Sequence, residues 1–320
     1  MADPAADAAA AGAPVGAGAS ARIAVLVNPV SGRGRGRDAA DAVVARLREL
    51  GAEVLVSVGS SVEQSRQLAA AAVAARPAAL VIIGGDGTLS TLLDALVGCG
   101  VPIALVPAGT GNDFARAIGV PIGPSHAAEA AALALQGRPR PIDVGRVETA
   151  DAAAHFLTVV AMGFDARVSD RTNRLRWPRG RARYYLALLI ELARLRPVPF
   201  RVAVDDGPAR ARPGTLIAIG NTGSYGGGMP ICPDSLPDDG QLDVTHVGPL
   251  SRIRLLRLFP LLLAGRHLER PEATALRATS VRVEAPGLVV YADGERIGTG
   301  SATVTVRPGA LTMLVPQVAR

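Results

Sequence analysis

Three glycine-rich turns, each placed after a short apolar run and before a stretch of helical periodicity, constrain this chain more than any other feature. They are Asn28-Pro29-Val30-Ser31-Gly32, Gly84-Gly85-Asp86-Gly87-Thr88 and Gly109-Thr110-Gly111-Asn112-Asp113. The runs before them, 22–27 (RIAVLV), 79–83 and 102–106, read as buried strands. The segments after them, 38–50, 88–97 and 113–118, read as helices, and Gly51 caps the first. A strand at 53–58, a helix at 62–75 and a further helix at 125–135 continue the alternation. Strands alternating with helices predict an α/β unit whose parallel sheet is covered on both faces. In such a sheet all three turns leave the same carboxyl edge, where α/β sheets bind ligands.

The pattern changes near residue 141. Segments 143–148, 156–161, 200–204, 216–221, 242–247, 280–284, 288–292, 301–306 and 311–315 read as short strands. Helices at 181–195 and 251–264 interrupt them. This predicts a mostly antiparallel β-sandwich. The expected organisation is a disordered Ala/Gly-rich arm over 1–20, an α/β domain over 21–141, a sandwich domain over 142–306 and a final strand over 307–320. With 3% aromatic residues, the core has to be built mainly from Ala, Val, Leu and Ile.

Charge narrows the partners. The chain has 34 basic residues against 28 acidic ones, and every basic residue is arginine. Arginine stays charged and grips phosphate in a bidentate way, so the surplus fits a nucleotide or an acidic membrane surface. The basic residues are dispersed and stacking aromatics are scarce, which argues against a nucleic-acid partner. Cys99 and Cys232 are too far apart for a CxxC metal site and form no disulfide framework, so a reducing compartment is expected. The four histidines (126, 155, 246 and 267) form no spaced cluster and read as surface or strand residues. Residues 1–20 lack the basic and Leu-rich regions of a secretory signal. No apolar stretch reaches the roughly 18 residues needed to cross a bilayer. The expectation is a cytoplasmic protein that touches an anionic membrane surface peripherally, with a homodimer left open.

Glycines let backbone N–H groups approach phosphate oxygens, and helix starts add partial positive charge. One such turn would be an ordinary tight turn. Three, each carrying Ser, Thr, Asn or Asp, point to a nucleotide phosphate site. None is a Walker loop, which needs the lysine this chain lacks, and GRGRGR is spaced too evenly for a dinucleotide fingerprint.

In order along residues 22–316 stand VNPVSG (27–32), GGDGTLS (84–90), PAGTGNDFAR (107–116), PIDVG (141–145), GNTGSYGGGM (220–229), CPDSLPDDGQLDV (232–244) and DGE (293–295). This series resembles the diacylglycerol kinase catalytic-domain family, in its bacterial soluble lipid-kinase branch related to sphingosine kinases. The resemblance implies a first domain like those of NAD kinases and phosphofructokinases, a C-terminal β-sandwich, and a final strand packed back on the first domain. It implies an ATP-dependent kinase of a lipid hydroxyl, most simply of diacylglycerol, working with Mg²⁺. The nucleotide would be held by Asn28, Pro29, Val30, Ser31 and Gly32, by Gly84, Gly85, Asp86, Gly87, Thr88, Leu89 and Ser90, and by Thr110. A structural Mg²⁺ would take the Asp239 carboxylate and the main-chain carbonyls of Leu236 and Gln241. Asp293 would accept the hydroxyl proton, with Glu295 on the same side of an extended strand, and Asp86 and Asp113 would organise the reacting groups.

Without the resemblance, Asp293-Gly294 is a hairpin turn and Asp238-Asp239-Gly240 another. Two departures from the family pattern stand out. Gly59-Ser60-Ser61 occupies a turn where many relatives place a nucleotide-contacting Thr, and Arg33, Arg35 and Arg37 make the first loop unusually basic. Other acceptors fit the same site: a sphingoid base, phosphatidylglycerol, a glycolipid or polyketide alcohol and, against the C-terminal motifs, NAD. A non-catalytic nucleotide sensor is the competing class, opposed by the intact acidic set. Residues 181–196 and 252–266 mix Arg with large apolar residues and read either as helices packed on the sandwich or as interfacial ones.

Overall fold

The computed structural model describes residues 20–29, 31–178 and 181–317. Residues 1–19 of the expected arm, Val30 of the first turn and the last three residues of the expected C-terminal strand segment (307–320) lie outside the described residues.

The apolar runs of the N-terminal half form β1 (Arg22–Val27), β2 (Glu53–Val58), β3 (Ala79–Gly84) and β4 (Ile103–Pro107). They lie parallel in the order β2-β1-β3-β4. Five helices alternate with or follow them: α1 (Arg35–Glu49), α2 (Val62–Ala74), α3 (Asp86–Leu96), α4 (Asp113–Ala117) and α5 (Ala127–Gln136). β3 and β4 are buried along their whole length, as parallel strands must be when helices cover both faces. β2 is the edge, and its Leu55, Val56 and Val58 are about half exposed.

The second half contains β5 (Arg138–Thr149), β6 (Ala153–Phe156), β7 (Val159–Gly163), α6 (Phe164–Arg174), α7 (Arg181–Ala193), β8 (Arg201–Val204), β9 (Arg210–Ala211), β10 (Leu216–Gly220) and β11 (Leu242–Val247). It continues through α8 (Arg252–Leu263), β12 (Ala273–Ala278), β13 (Ser280–Glu284), β14 (Val289–Ala292), β15 (Glu295–Thr299) and β16 (Ala302–Val315). A six-stranded antiparallel sheet, β12-β11-β10-β7-β14-β15, faces β13, β8 and the upper part of β16 across a core that includes Phe156, Met162, Phe200, Ile217 and Val281.

The two halves share a sheet. The segments expected as separate strands at 301–306 and 311–315 are one strand, β16. Its first part pairs with β13, and its last part runs parallel to β4. β5 accompanies it antiparallel throughout, with a register shift between Arg307 and Leu311. The junctions expected at 141/142 and 306/307 therefore fall inside β5 and β16. Several elements had no sequence-based expectation, α6, β9, β12 and β15 among them. α6 (FDARVSDRTNR) is polar and buries only Ala166 and Val168, and β12 is an edge strand exposed along much of its length.

Candidate active site

The strand order sets the site. Because β1, β3 and β4 are neighbours, the three turns at their carboxyl ends are brought into contact. Asn28 donates its backbone N–H to Ile83 O (3.1 Å) and its Nδ2 to Thr88 Oγ1 (2.9 Å), which joins the first turn to the second. The second and third turns touch main chain to main chain: a Cβ on Gly109 would lie 2.6 Å from Gly85 Cα. Asp86 closes the link. Its carboxylate accepts the N–H groups of Asp113 (3.0 Å) and Phe114 (3.1 Å) at the start of α4. Burial holds the Asp86 carboxyl above its ordinary range, with these amides pulling the other way.

Asp113 reaches across to the second half. It accepts Gly227 N–H (2.7 Å), is approached by Ser224 Oγ (3.4 Å), and pairs with Arg116 (2.9 Å). Asp293 arrives from the opposite side, in the two-residue turn between β14 and β15, with φ of 48° followed by 83° at Gly294. Aspartate tolerates this left-handed conformation better than most residues. Its Oδ1 accepts the N–H (2.8 Å) and Oγ1–H (2.6 Å) of Thr158, and its Oδ2 accepts Leu157 N–H (2.9 Å). Three of the four carboxylate lone pairs are thus directed at the protein, and one on Oδ2 remains for a further donor. Burial raises the Asp293 carboxyl, and the negative charge of Asp86 raises it further.

The other predicted residues divide by position. Ser31, Gly32, Asp86 and Ser90 are half-buried, and Gly87 and Thr110 are exposed on the turns. The amides of Thr88 and Leu89 already donate to Gly85 O. The Leu89 side chain is in the core, so it offers no group to a ligand. Glu295 begins the return strand β15 beyond the turn, exposed and paired in register with Ala292. Asp293 and Glu295 therefore do not lie along one extended strand, because the chain reverses between them. The Gly59-Ser60-Ser61 turn caps α2: Ser61 Oγ accepts Gln64 N–H, and Gln64 Oε1 accepts from Ser60 N–H and Oγ–H at 2.6 Å each. A cavity of about 440 Å³ opens beside the first turn, lined by Val27, Pro29, Arg37, Val44, Val56 and Val58 among others. The side chains of Arg33 and Arg35 are not among those described.

Leu236, Asp239 and Gln241 lie in the loop leading to β11. Asp239 Oδ1 accepts Gln241 N–H (3.0 Å), and Arg277 stands 3.3 Å from Oδ2. Asp239 Oδ2 is buried and without a hydrogen-bond partner. Among the described residues no group of three or more His, Cys, Asp or Glu could hold a metal. An oxygen-only set with one spare buried acceptor does fit a hard cation.

Residues that sequence reasoning had not singled out carry much of the construction. Thr158, inside an ordinary-looking strand segment, gives two hydrogen bonds to Asp293, while its carbonyl accepts Asn221 N–H (2.8 Å) and Thr222 N–H (3.2 Å). Asn221, fully buried, donates to Asp143 O and Leu157 O. Asp165, at the start of α6, accepts Tyr225 Oη–H (2.8 Å), and burial pushes its carboxyl up to about 6. His267, expected as a surface or strand residue, is completely buried in a short helical turn with Nε2 against Ile231 O.

A family model of the diacylglycerol kinase catalytic domain matches residues 22–147, and one of the YegS C-terminal NAD kinase beta sandwich-like domain matches residues 158–315. The chain belongs to the diacylglycerol kinase family. It is 44% identical over 297 residues to "Diacylglycerol kinase" of Mycobacterium tuberculosis (strain ATCC 25618 / H37Rv), covering 92% of this chain and 96% of that one. It is 36% identical over 290 residues to "Probable lipid kinase YegS-like" of Pseudomonas aeruginosa (strain UCBPP-PA14), covering 89% and 92%. A crystal structure of a diacylglycerol kinase from Bacillus anthracis str. Sterne has the same fold, with a TM-score of 0.67 at 21% identity over 93% of this chain and 98% of that one. The chain is therefore an enzyme of a kinase family. Among the described residues, no helix is long and apolar enough to cross a membrane.

Two expected outcomes follow from the geometry. Gly109→Ala forces a methyl group against Gly85 Cα and Asn112 Oδ1, both at 2.6 Å, so the second and third turns must separate. The expected result is a stability loss of about 1–3 kcal/mol, read by urea unfolding. Asp165 gives a pH effect. Its folded pKa of about 6 lies above the ordinary 3.8, so the folded state holds a proton that the unfolded chain releases in that window. Stability is therefore lost as pH rises from about 4 to 6 and levels off above. Asp165→Asn removes this loss and should be more stable than the parent at pH 8 by about 3 kcal/mol, with little difference at pH 4.

Proposed function

We propose that this enzyme transfers the γ-phosphoryl group of ATP to a lipid hydroxyl, with diacylglycerol as acceptor and phosphatidic acid as product. The observation that supports the proposal is the contact of three glycine-rich turns with one another and, through Asp113 and Gly227, with the second half of the chain, which carries the Asp293 carboxylate.

In this reading the triphosphate lies along Asn28, Ser31 and Gly32 and over the start of α3, where the Asp86 and Gly87 amides and the Thr88 hydroxyl face it. The base and ribose take the cavity beside Pro29 and Val58. The γ-phosphoryl group points at Asp293. The acceptor hydroxyl donates its proton to the remaining lone pair on Asp293 Oδ2 as its oxygen bonds to phosphorus, and the bond to the β-phosphate oxygen breaks to release ADP. Phosphoryl transfer has a loose transition state, so the carboxylate acts mainly by orienting the alcohol. Its raised pKa makes it a better proton acceptor than a free aspartate. Asp86 and Asp113 are positioning residues: one ties the second turn to the third, the other ties the third to the loop around Gly227. Glu295, exposed beside the turn, is available to the acceptor headgroup. Mg²⁺ bound with ATP would neutralise charge on the phosphates. A second, structural Mg²⁺ would be held by Asp239 and by the carbonyls of Leu236 and Gln241.

The test incubates the full chain with labelled ATP, Mg²⁺ and a panel of lipid alcohols in mixed micelles. Labelled phosphatidic acid from diacylglycerol is the expected product. Label in another lipid moves the acceptor assignment, and ATP binding with no transfer to any alcohol contradicts the kinase reading.

A further inference from the structure

The sandwich carries two helices whose outward faces are apolar and whose charges are of one sign. On α7, Tyr185 and Leu189 are 59% and 62% exposed, one turn apart. On α8, Leu255, Leu258 and Leu262 pack inward, while Ile253, Leu256 and Leu263 are 64%, 58% and 53% exposed at i, i+3 and i+10. Each set lies on one side of its helix. The chain has not left these residues out for want of a core, because both helices already bury another face. Trp177, the only tryptophan, stands 77% exposed just before α7.

The charge pattern is equally one-sided. Over 174–196 and 248–266 there are eleven arginines and one acidic residue, Glu191, and of these arginines Arg174, Arg254 and Arg266 pair with Asp170, Glu272 and Glu269 just outside the two segments. Glu191 is buried and paired with Arg171, so it contributes no exposed negative charge. Arg252 joins the two helices by donating to the α7 carbonyls of Leu192 (3.1 Å) and Ala193 (2.6 Å). Arg194, Arg196 and Arg257 are exposed beside the apolar residues. The surface also adjoins the site. Arg171 of α6 pairs with Glu191 of α7, Asp165 at the start of α6 accepts the hydroxyl of Tyr225, and Tyr225 lies two residues before the Gly227 amide that holds Asp113.

We propose that the outer faces of α7 and α8 form a single docking surface for an anionic bilayer, with Tyr185, Leu189, Ile253, Leu256 and Leu263 entering the interfacial layer and arginines binding lipid phosphates. Amphipathic helices with apolar residues flanked by arginine bind membranes in this way. The charge favours a bilayer over a second copy: Arg194, Arg196 and Arg257 of two copies would face one another, whereas an anionic bilayer complements them. The inference rests on the lipid-kinase reading for its purpose, since a diacyl acceptor stays in the bilayer, and the surface lies beside the loop that bounds the site.

The test is flotation of the full chain with phosphatidylcholine vesicles, with and without phosphatidylglycerol. The wild type should bind the anionic vesicles about tenfold better. L189E/L256E, and separately R257E, should lose most of that binding while keeping the wild-type thermal midpoint, because all three side chains are exposed. Equal binding to both vesicle types, or undiminished binding by L189E/L256E, overturns the proposal. So does a wild-type dimer that L189E/L256E converts to monomer, since the face would then belong to a second copy. Lipid phosphorylation in detergent micelles, measured in parallel, separates the two readings. Flotation without phosphorylation of any alcohol keeps the surface and removes the kinase assignment, and phosphorylation without flotation does the reverse.

Discussion

Asp293→Asn is expected to lower kcat for phosphoryl transfer by about a thousandfold while leaving ATP affinity within a factor of about three. The amide can stay in the left-handed turn, which asparagine tolerates as well as aspartate, so the backbone need not move. Its Oδ1 can still accept from Thr158. Its Nδ2 now faces Leu157 N–H, donor against donor, at a cost of about 1–2 kcal/mol. What is removed, on the proposed mechanism, is the acceptor for the alcohol proton. The wild type should show an acidic limb in kcat above the ordinary aspartate range, because burial and Asp86 raise this carboxyl. The variant should show no such limb. Stopped-flow transfer, ATP titration and a pH profile read the three effects separately.

Asp143→Ala should cause the largest loss of stability, about 3–5 kcal/mol, because it strips partners from buried groups. Asp143 is 3% exposed and sits on β5 opposite the register shift of β16. Its Oδ1 accepts Gly309 N–H at 2.7 Å, inside the bulge where β16 passes from one half to the other. Its Oδ2 accepts Gly240 N–H at 2.6 Å, which fixes the loop carrying Asp239. Alanine leaves both amides without an acceptor and frees the bulge and the loop together. The thermal midpoint should fall by roughly 8 °C or more. Because Asn221 bonds the main-chain carbonyl of residue 143 rather than its carboxylate, the Thr158–Asp293 contacts should survive at permissive temperature. Residual activity below the lowered midpoint is the expected companion result.

The sheet of the first half was legible because buried parallel strands read as uninterrupted apolar runs and glycines mark their carboxyl ends. That edge alone pointed to the three turns. The resemblance supplied Asp293, whose own spacing says only hairpin, and the structure shows why both descriptions hold: the residue is in a hairpin turn and its side chain folds back onto Leu157 and Thr158. Thr158 itself was illegible, since a threonine in an apolar run carries no local mark of the bend between β6 and β7 or of the long-range bonds it makes there. Asp143 was visible only as a letter in PIDVG, because its partners lie 97 and 166 residues away. α6 escaped because its apolar residues are too few to show a period, and β12 because it is an exposed edge whose one large apolar residue is Leu276. The single strand β16 was divided in two because Pro308-Gly309 reads as a turn, whereas here it is a bulge held by Asp143.

The most direct test of the central claim is a crystal structure of the full chain with a non-hydrolysable ATP analogue, Mg²⁺ and a short-chain diacylglycerol. The account predicts the triphosphate against Asn28, Gly85 and Gly109 and the acceptor hydroxyl within about 3 Å of an Asp293 carboxylate oxygen. A triphosphate bound elsewhere, or an acceptor whose hydroxyl contacts a different base with Asp293 turned away, would contradict it.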